Sequence, residues 1–381
     1  MQTKKKTISF LLVLLLAAAA LVLYFLLRDN KTVVTAKPPV QYVSAIINDV
    51  TLPEHRLVSK FSRADASGSI FLTGSPERTS SLSKALCEWD SFDNVDGRAV
   101  PDGLMDFAGE SISTLASLPD EYRLIASGQT DSLRDYTVRV ALAALDTLCY
   151  LSPYDPTGMG RKLTPKMLVT ASPYMTQYGK YDIDSLFHAL GCHIPVLSPA
   201  ELSLSEVFEG KPKGARLNIG VLLPQNRADS VAWINYTAEK SLQAGLDTAR
   251  CIVYTAPENA DALTSFLDYY VESGNRGAID ALVIDDPSVD TEAIRQSLER
   301  ITSVMNAESL TYGNMFGKDF SMVNSTDCIC KAIYRYMRQY NLFTHRVAQP
   351  RQYDYMLIGT EGSLKEFKLM HFNERFITKN D

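Results

Sequence analysis

Two eight-residue stretches carry hydroxyls and a proline in the same order. LTGSPERT (72–79) and VTASPYMT (169–176) share Thr, Ser, Pro and Thr at the same four places. In each, a strand-like run ends at Thr73 or Thr170 and a Gly or Ala turns the chain. Ser75 or Ser172 then stands where a helix N-cap belongs, with Pro at the first helical position, where its missing N–H is no loss. Such a turn also sets a hydroxyl beside the positive end of a helix, at the strand end where open α/β sheets hold ligands. Carboxylates supply a second candidate. In PDGLMDFAGE (101–110) Asp102, Asp106 and Glu110 recur every four residues, so a helix beginning at Pro101 would align them in one stripe behind Asp93 and Asp96. Asp285 and Asp286 close the run DALVIDD at another strand end. The expected ligand-binding residues are therefore Ser75, Ser172, Asp102, Asp106, Asp285 and Asp286. The same residues read equally as helix caps and a solvated first turn.

Other chemistry finds little footing. A hard cation needs several oxygen ligands, and the acidic spacing matches no calcium loop. Cys328 and Cys330 form a pair with no second pair and no neighbouring His, a poor zinc site. No metal and no cofactor is expected. LGCHIP (190–195) is similar to the cysteine motif of amino-acid racemases, but here Cys192 follows the helical stretch DSLFHAL and precedes the strand-like IPVLS. A thiol at a helix C-terminus faces the negative end of the dipole, which dulls it as a nucleophile. There is no G-x-S-x-G, H-E-x-x-H or P-loop, and His55, His188, His345 and His371 are scattered.

The elements that must position these residues read as α/β. After a stalk, VSAIINDV (43–50) and SIFLT (69–73) are strand-like, and the loop from Asp96 enters a helix through ESISTLASL. TVRVALAALDTLCYL (137–151) is apolar almost all round and reads as a buried helix. From KMLVT onward, strands alternate with helices: RLNIGVLLP, CIVYT and DALVIDD are separated by amphipathic stretches, the signature of a mainly parallel sheet. KAIYRYMRQYNLF (331–343) has the spacing of an amphipathic helix with Arg335 and Arg338 on its wet face. YDYMLIG and FITKND are expected to return as terminal strands.

At the N-terminus, Lys4, Lys5 and Lys6 precede the apolar run Ile8–Leu27, long enough to cross a bilayer. The lysines place the N-terminus in the cytoplasm and the remainder outside, periplasmic in a bacterium. The bilayer is thus one expected partner, through Ile8–Leu27. A formal charge of −6 argues against nucleic acid as another.

The stretch from RLNIGVLLP to DALVIDDPSVDTEAI, residues 216–304, resembles the repeating unit of type 1 periplasmic binding proteins: a strand, an amphipathic helix closing at Gly, a second strand, and a later DALVI-type strand. The resemblance implies two Rossmann-like lobes with a small molecule between them. The expected architecture is a cytoplasmic tip and N-terminal transmembrane helix (1–30), a stalk (31–40), and two Rossmann-like α/β lobes with mainly parallel sheets at 41–215 and 216–381. The expected function is a membrane-anchored extracytoplasmic binding protein for a small polar molecule. The alternatives are an anchored hydrolase using the carboxylates of 93–110, and a structural envelope protein without a ligand.

Overall fold

The computed structural model describes residues 38–116, 121–152, 155–224, 229–256, 261–303, 307–344, 351–359 and 367–376. The described chain opens with α1 (Gln41–Asn48) and α2 (Pro53–Ser59). VSAIINDV is therefore helical rather than extended. Its Val43 and Ile46 stand three residues apart and are both buried, so helical spacing decided against the β-branched composition.

Strand β1 (Ser69–Gly74) leads into α3 (Pro76–Glu88), then β2 (Ser111–Ala116), α4 (Glu121–Ala126) and α5 (Thr130–Leu145). The antiparallel pair β3 (Leu148–Ser152) and β4 (Asp155–Arg161) precedes β5 (Pro165–Thr170), α6 (Pro173–Tyr178), α7 (Lys180–Leu190), β6 (Val196–Leu197) and α8 (Pro199–Phe208). ESISTLA, expected to run on as helix, supplies β2, and the buried helix stops at Leu145 so that LCYLS becomes a strand. Period-two alternation divides the core of this sheet. Ile70, Leu72, Met167 and Val169 pack on α3 and the later helix 325–340, whereas Phe71 and Leu168 face α5 and α7.

The second sheet comes from β7 (Arg216–Pro224), α9 (Ser230–Gln243), β8 (Thr248–Ala256), α10 (Ala262–Glu272), β9 (Ile279–Ile284), α11 (Thr291–Ser303), α12 (Ala307–Tyr312) and β10 (Phe316–Asn324). Its order is β10-β9-β7-β8, and every pair is parallel, as the alternation of RLNIGVLLP, CIVYT and DALVIDD with helices predicts. One face carries Ile219, Val221 and Leu223 against α8 and α9, and the other carries Leu222 and Leu282 against α10 and α11.

The chain then returns. Helix α13 (Ser325–Tyr340) buries Ile329, Ile333 and Met337 against the first sheet and leaves Arg335 exposed. Strands β11 (Arg351–Gly359) and β12 (Phe367–Phe376) enter that sheet, whose order is β4-β3-β12-β11-β2-β1-β5-β6. The expected second lobe, 216–381, thus gives its last two strands to the larger sheet. The last strand is FKLMHFNERF; of FITKND only Phe376 lies among the described residues. The fold is α/β with mainly parallel sheets. The expected span Ile8–Leu27 lies outside the described residues, and among these no helix is long and apolar enough to cross a membrane.

Candidate functional site

Strands β1 and β5 are parallel neighbours, with Leu72 beside Val169 and Thr73 beside Thr170, so the two serine turns emerge side by side. Ser75 caps α3, accepting from the Arg78 amide at 3.4 Å, and Ser172 caps α6, accepting from the Met175 amide at 3.3 Å. Gly74 is fitted to this crowding: a Cβ there would lie 3.2 Å from the Ser172 nitrogen. The neighbouring strand β6 ends the same way. Ser198 caps α8, Pro199 follows, and the Ser198 hydroxyl lies 2.8 Å from that of Thr176. Three adjacent strands thus deliver three Ser-Pro helix starts to one edge. The third turn, LSPAE, keeps only the Ser and Pro of the repeat, with Val196 and Leu202 where the two threonines stand, so it does not stand out in the sequence.

The carboxyl edge of the second sheet meets this one, joined by Arg78. This residue, in the first turn of α3, is only 6% exposed. Its Nη2 donates to Asp229 Oδ2 at 2.6 Å and to Asp285 Oδ2 at 2.9 Å, and its Nε donates to Asp229 Oδ2 at 3.1 Å. Asp229 stands at the start of α9 and Asp285 directly after β9. Trp233, fully buried on α9, donates its indole N–H to the same Asp285 oxygen at 2.7 Å. Burial works against the charge of Arg78, but Asp229, Asp285 and Asp286 outweigh it, so the guanidinium is held charged more firmly than in water. Asp286 Oδ1 accepts from the Ser288 amide and hydroxyl at 2.9 and 2.7 Å. A cavity of about 20 Å³ sits at this seam, lined by Arg78, Ala171, Pro199, Asp285, Asp286 and Thr326 among others.

On the large-sheet side, Ser172 donates its hydroxyl to Glu121 Oε2, at the start of α4. The neighbouring Tyr174 is 1% exposed, and burial first, then the charge of Asp229 and more weakly that of Glu121, push its phenol up. One hydroxyl therefore feels carboxylates from both sheets. Neither Glu121, Arg78, Tyr174 nor Asp229 belongs to a recognisable spacing, and only the topology assembles them.

The acidic stretch does not join this group. Residues 101–110 form turns rather than a helix, so the stripe of Asp102, Asp106 and Glu110 does not exist. Asp102 is exposed and accepts from the amides of Asn94 and Leu104, both at 2.9 Å, which holds its carboxyl below the usual range. Asp106 is buried, accepts from the amides of Ser91 and Phe92 at 2.7 and 3.2 Å, and is pushed up by burial to about 6. Glu110 pairs with the fully buried Lys166 at 2.5 Å. These carboxylates shape their own loop, and no acid and base pair for hydrolysis forms among them. Ser75, Ser172, Asp285 and Asp286 come to the facing edges, whereas neither serine nor Asp102 or Asp106 lines the seam cavity.

Burial also disfavours the thiolate at several cysteines. Burial pushes Cys87, Cys251 and Cys328 up to about 12 and Cys192 to about 11. Cys192 follows the left-handed Gly191 that ends α7, away from any strand's carboxyl end. No group of three or more metal-ligating side chains occurs among the described residues. A wider hollow of about 870 Å³ lies among α8, α9 and α13, lined by Leu204, Phe208, Lys240, Lys331 and Arg335 among others; it touches no strand end.

No protein-family model and no curated protein matches this chain. Among solved structures it is similar to glutamate racemase from Francisella tularensis in complex with D-glutamate, at 12% identity and a TM-score of 0.44, covering 78% of this chain and 90% of that one. It is also similar to glutamate racemase isoform RacE1 from Bacillus anthracis, at 12% identity and a TM-score of 0.45 over 78% of this chain and 91% of the other. A third similar structure is glutamate racemase from Thermus thermophilus in complex with beta-chloro-D-alanine, at 12% identity and a TM-score of 0.41, over 78% and 90% of the two chains. At that identity and TM-score the likeness carries no argument about activity. It does correct the resemblance to type 1 periplasmic binding proteins: these solved structures are racemases. Strand, amphipathic helix and strand is the unit of any parallel α/β sheet, so residues 216–304 carried no family information. The expected membrane-anchored, extracytoplasmic binding protein is corrected with it: the similar solved structures are racemases, and among the described residues, which do not include Ile8–Leu27, no helix is long and apolar enough to cross a membrane.

Proposed function

We propose that this protein is an enzyme that moves a proton on a small polar molecule held between the facing carboxyl edges of its two sheets. The two sheets, on this reading, belong to two Rossmann-like lobes that close on the substrate. The observation that carries it is the buried Arg78 reaching from the large sheet to Asp229 and Asp285 of the small one, with the Glu121–Ser172 pair on the near side. A buried ion cluster stabilises a fold weakly, because desolvation offsets most of the attraction. Strand carboxyl edges are where α/β sheets place ligands. Carboxylates from opposite edges suit removal of a proton from one face of a carbon acid and its return to the other. In this reading Glu121 is one base, polarised by Ser172, and Asp229 is the other. Arg78 orients the substrate, and Tyr174 relays between the two.

The test is wash-in of solvent deuterium, followed by proton NMR in D₂O, at the α-carbon of L- and D-amino acids and 2-hydroxy acids. Glutamate belongs in the panel, as the amino acid in the names of the similar solved enzymes. At least one acid should exchange, and Glu121→Gln should slow the exchange by about 100-fold or more. A natively folded protein that exchanges none of the panel sinks the reading.

A further inference from the structure

Asp229 occupies the cap position of α9 yet its side chain makes no capping hydrogen bond. An Asp at that position ordinarily accepts from the amides one turn on. Here one oxygen, Oδ2, takes both Nε and Nη2 of Arg78, and at 13% exposure it is the less buried of the two carboxylates on that guanidinium. Asp285 is 2% exposed and fixed from a second side by Trp233. The two partners of Arg78 are thus unequal: one is built in, the other is held by Arg78 alone among the described residues. Beyond them, Nη1 of Arg78 has no hydrogen-bond partner among the described residues, and neither has the Thr326 hydroxyl, which is 7% exposed and belongs to a residue lining the same cavity at the start of α13. The amides of Thr326 and Asp327 are already taken by the cap Asn324, so Thr326 offers its side chain and not the helix end.

Resting on the seam as the working site, we propose that Asp229 is an internal stand-in for a carboxylate of the substrate: a small carboxylic acid displaces it from Arg78 and takes the unused donors of Arg78 and Thr326. The cavity of about 20 Å³ holds little more than a water, so binding must part the two edges there. Displacement also frees Asp229, whose charge is neutralised while it lies on Arg78, to accept a proton. The internal carboxylate competes with the substrate at very high effective concentration, so weakening it should tighten binding while removing a reacting group.

Titration of the full chain with succinate, followed by calorimetry and by tryptophan fluorescence, to which Trp89 and Trp233 both contribute, separates these effects. Asp229→Asn should bind succinate at least tenfold tighter than the wild type, Thr326→Val several-fold weaker, and Arg78→Gln not at all. The neutral isostere succinamide should bind none of them. Equal affinity of the wild type and Asp229→Asn overturns the proposal, as does succinamide binding as well as succinate. Should Arg78→Gln fail to fold, Asp229→Asn and Thr326→Val decide between them. The measurement needs no turnover: tighter binding by Asp229→Asn without any deuterium exchange would leave the displacement standing and remove the enzyme reading, and exchange without tighter binding would do the reverse.

Discussion

Arg78 and Asp106 show how differently a buried charge is settled. Arg78 has two carboxylate partners and remains ionised; replacing it by Met leaves Asp229 and Asp285 facing each other without a cation. Removing one side of such a cluster costs about 3–5 kcal/mol, so Arg78→Met should lower the urea midpoint far more than a surface Arg→Met change such as Arg295→Met. Asp106 has two amide donors on Oδ2, but its buried Oδ1 has no hydrogen-bond partner among the described residues. Burial raises its folded pKa to about 6 from an ordinary 3.8. Between those values the folded state binds the proton and the unfolded state does not, so stability falls as pH rises through that window and stays lowered above it. Asp106→Asn keeps the acceptor for Ser91 and Phe92 and should stabilise the protein at pH 7 by about 1–3 kcal/mol, with no gain below pH 4. Urea unfolding of both proteins at a series of pH values checks this; an equal difference at every pH would show that Asp106 ionises normally.

At the scale of the element, the three Ser-Pro starts are one device used on three neighbouring strands. Each serine oxygen accepts from an amide three residues on at 3.3–3.4 Å, long enough to put each cap at the weak end of its usual range. Ser75→Ala should cost about 0.5–1 kcal/mol through its cap, and Ser198→Ala more, because its hydroxyl also lies 2.8 Å from that of Thr176. Ser172→Ala should also cost more, because the Glu121 carboxylate loses its hydroxyl donor as well. Thermal unfolding of the three single variants ranks them, and a smallest loss at Ser172 would show that the Glu121 contact adds nothing. The Ser75 and Ser172 turns were legible in the sequence because the chemistry of a cap is local: Ser, Pro and the preceding strand lie within six residues. The parallel strands of the small sheet were legible for the same reason, through period-two runs separated by amphipathic helices. Residues 101–110 were misread because regular acidic spacing is equally produced by a loop in which each aspartate turns back onto a backbone amide. Arg78, Asp229, Glu121 and Tyr174 carried no signal, since they meet only when two sheets bring distant strand ends together.

The molecule as a whole is closed by its last two strands. β11 lies between β2 and β12, pairing Tyr353 with Ser113, 240 positions earlier in the sequence. β3 and β4 reach the rest of the sheet through β12. The large sheet therefore cannot be completed until the chain has built the small sheet and come back through α13. Long-range pairing of this kind is slow, because loop closure must precede the contacts that reward it. It also leaves β2 as an open edge in any chain lacking 351–376, with buried Ile112 on one face and Leu115 on the other and unpaired backbone groups along it. A chain ending at Thr344 keeps the four-stranded sheet, Arg78 and its aspartates, yet should expose that edge. It is expected to bind a hydrophobic dye and to associate on size-exclusion chromatography, while the full chain stays monodisperse under the same conditions. Glu110 adds to the expectation, because its carbonyl accepts from the Arg351 amide and loses that donor in the cut chain, while the Thr344 amide stays on its Oε1. A truncated chain that unfolds cooperatively at the midpoint of the full protein would show that β11 and β12 are an appendage and that the core is complete without them.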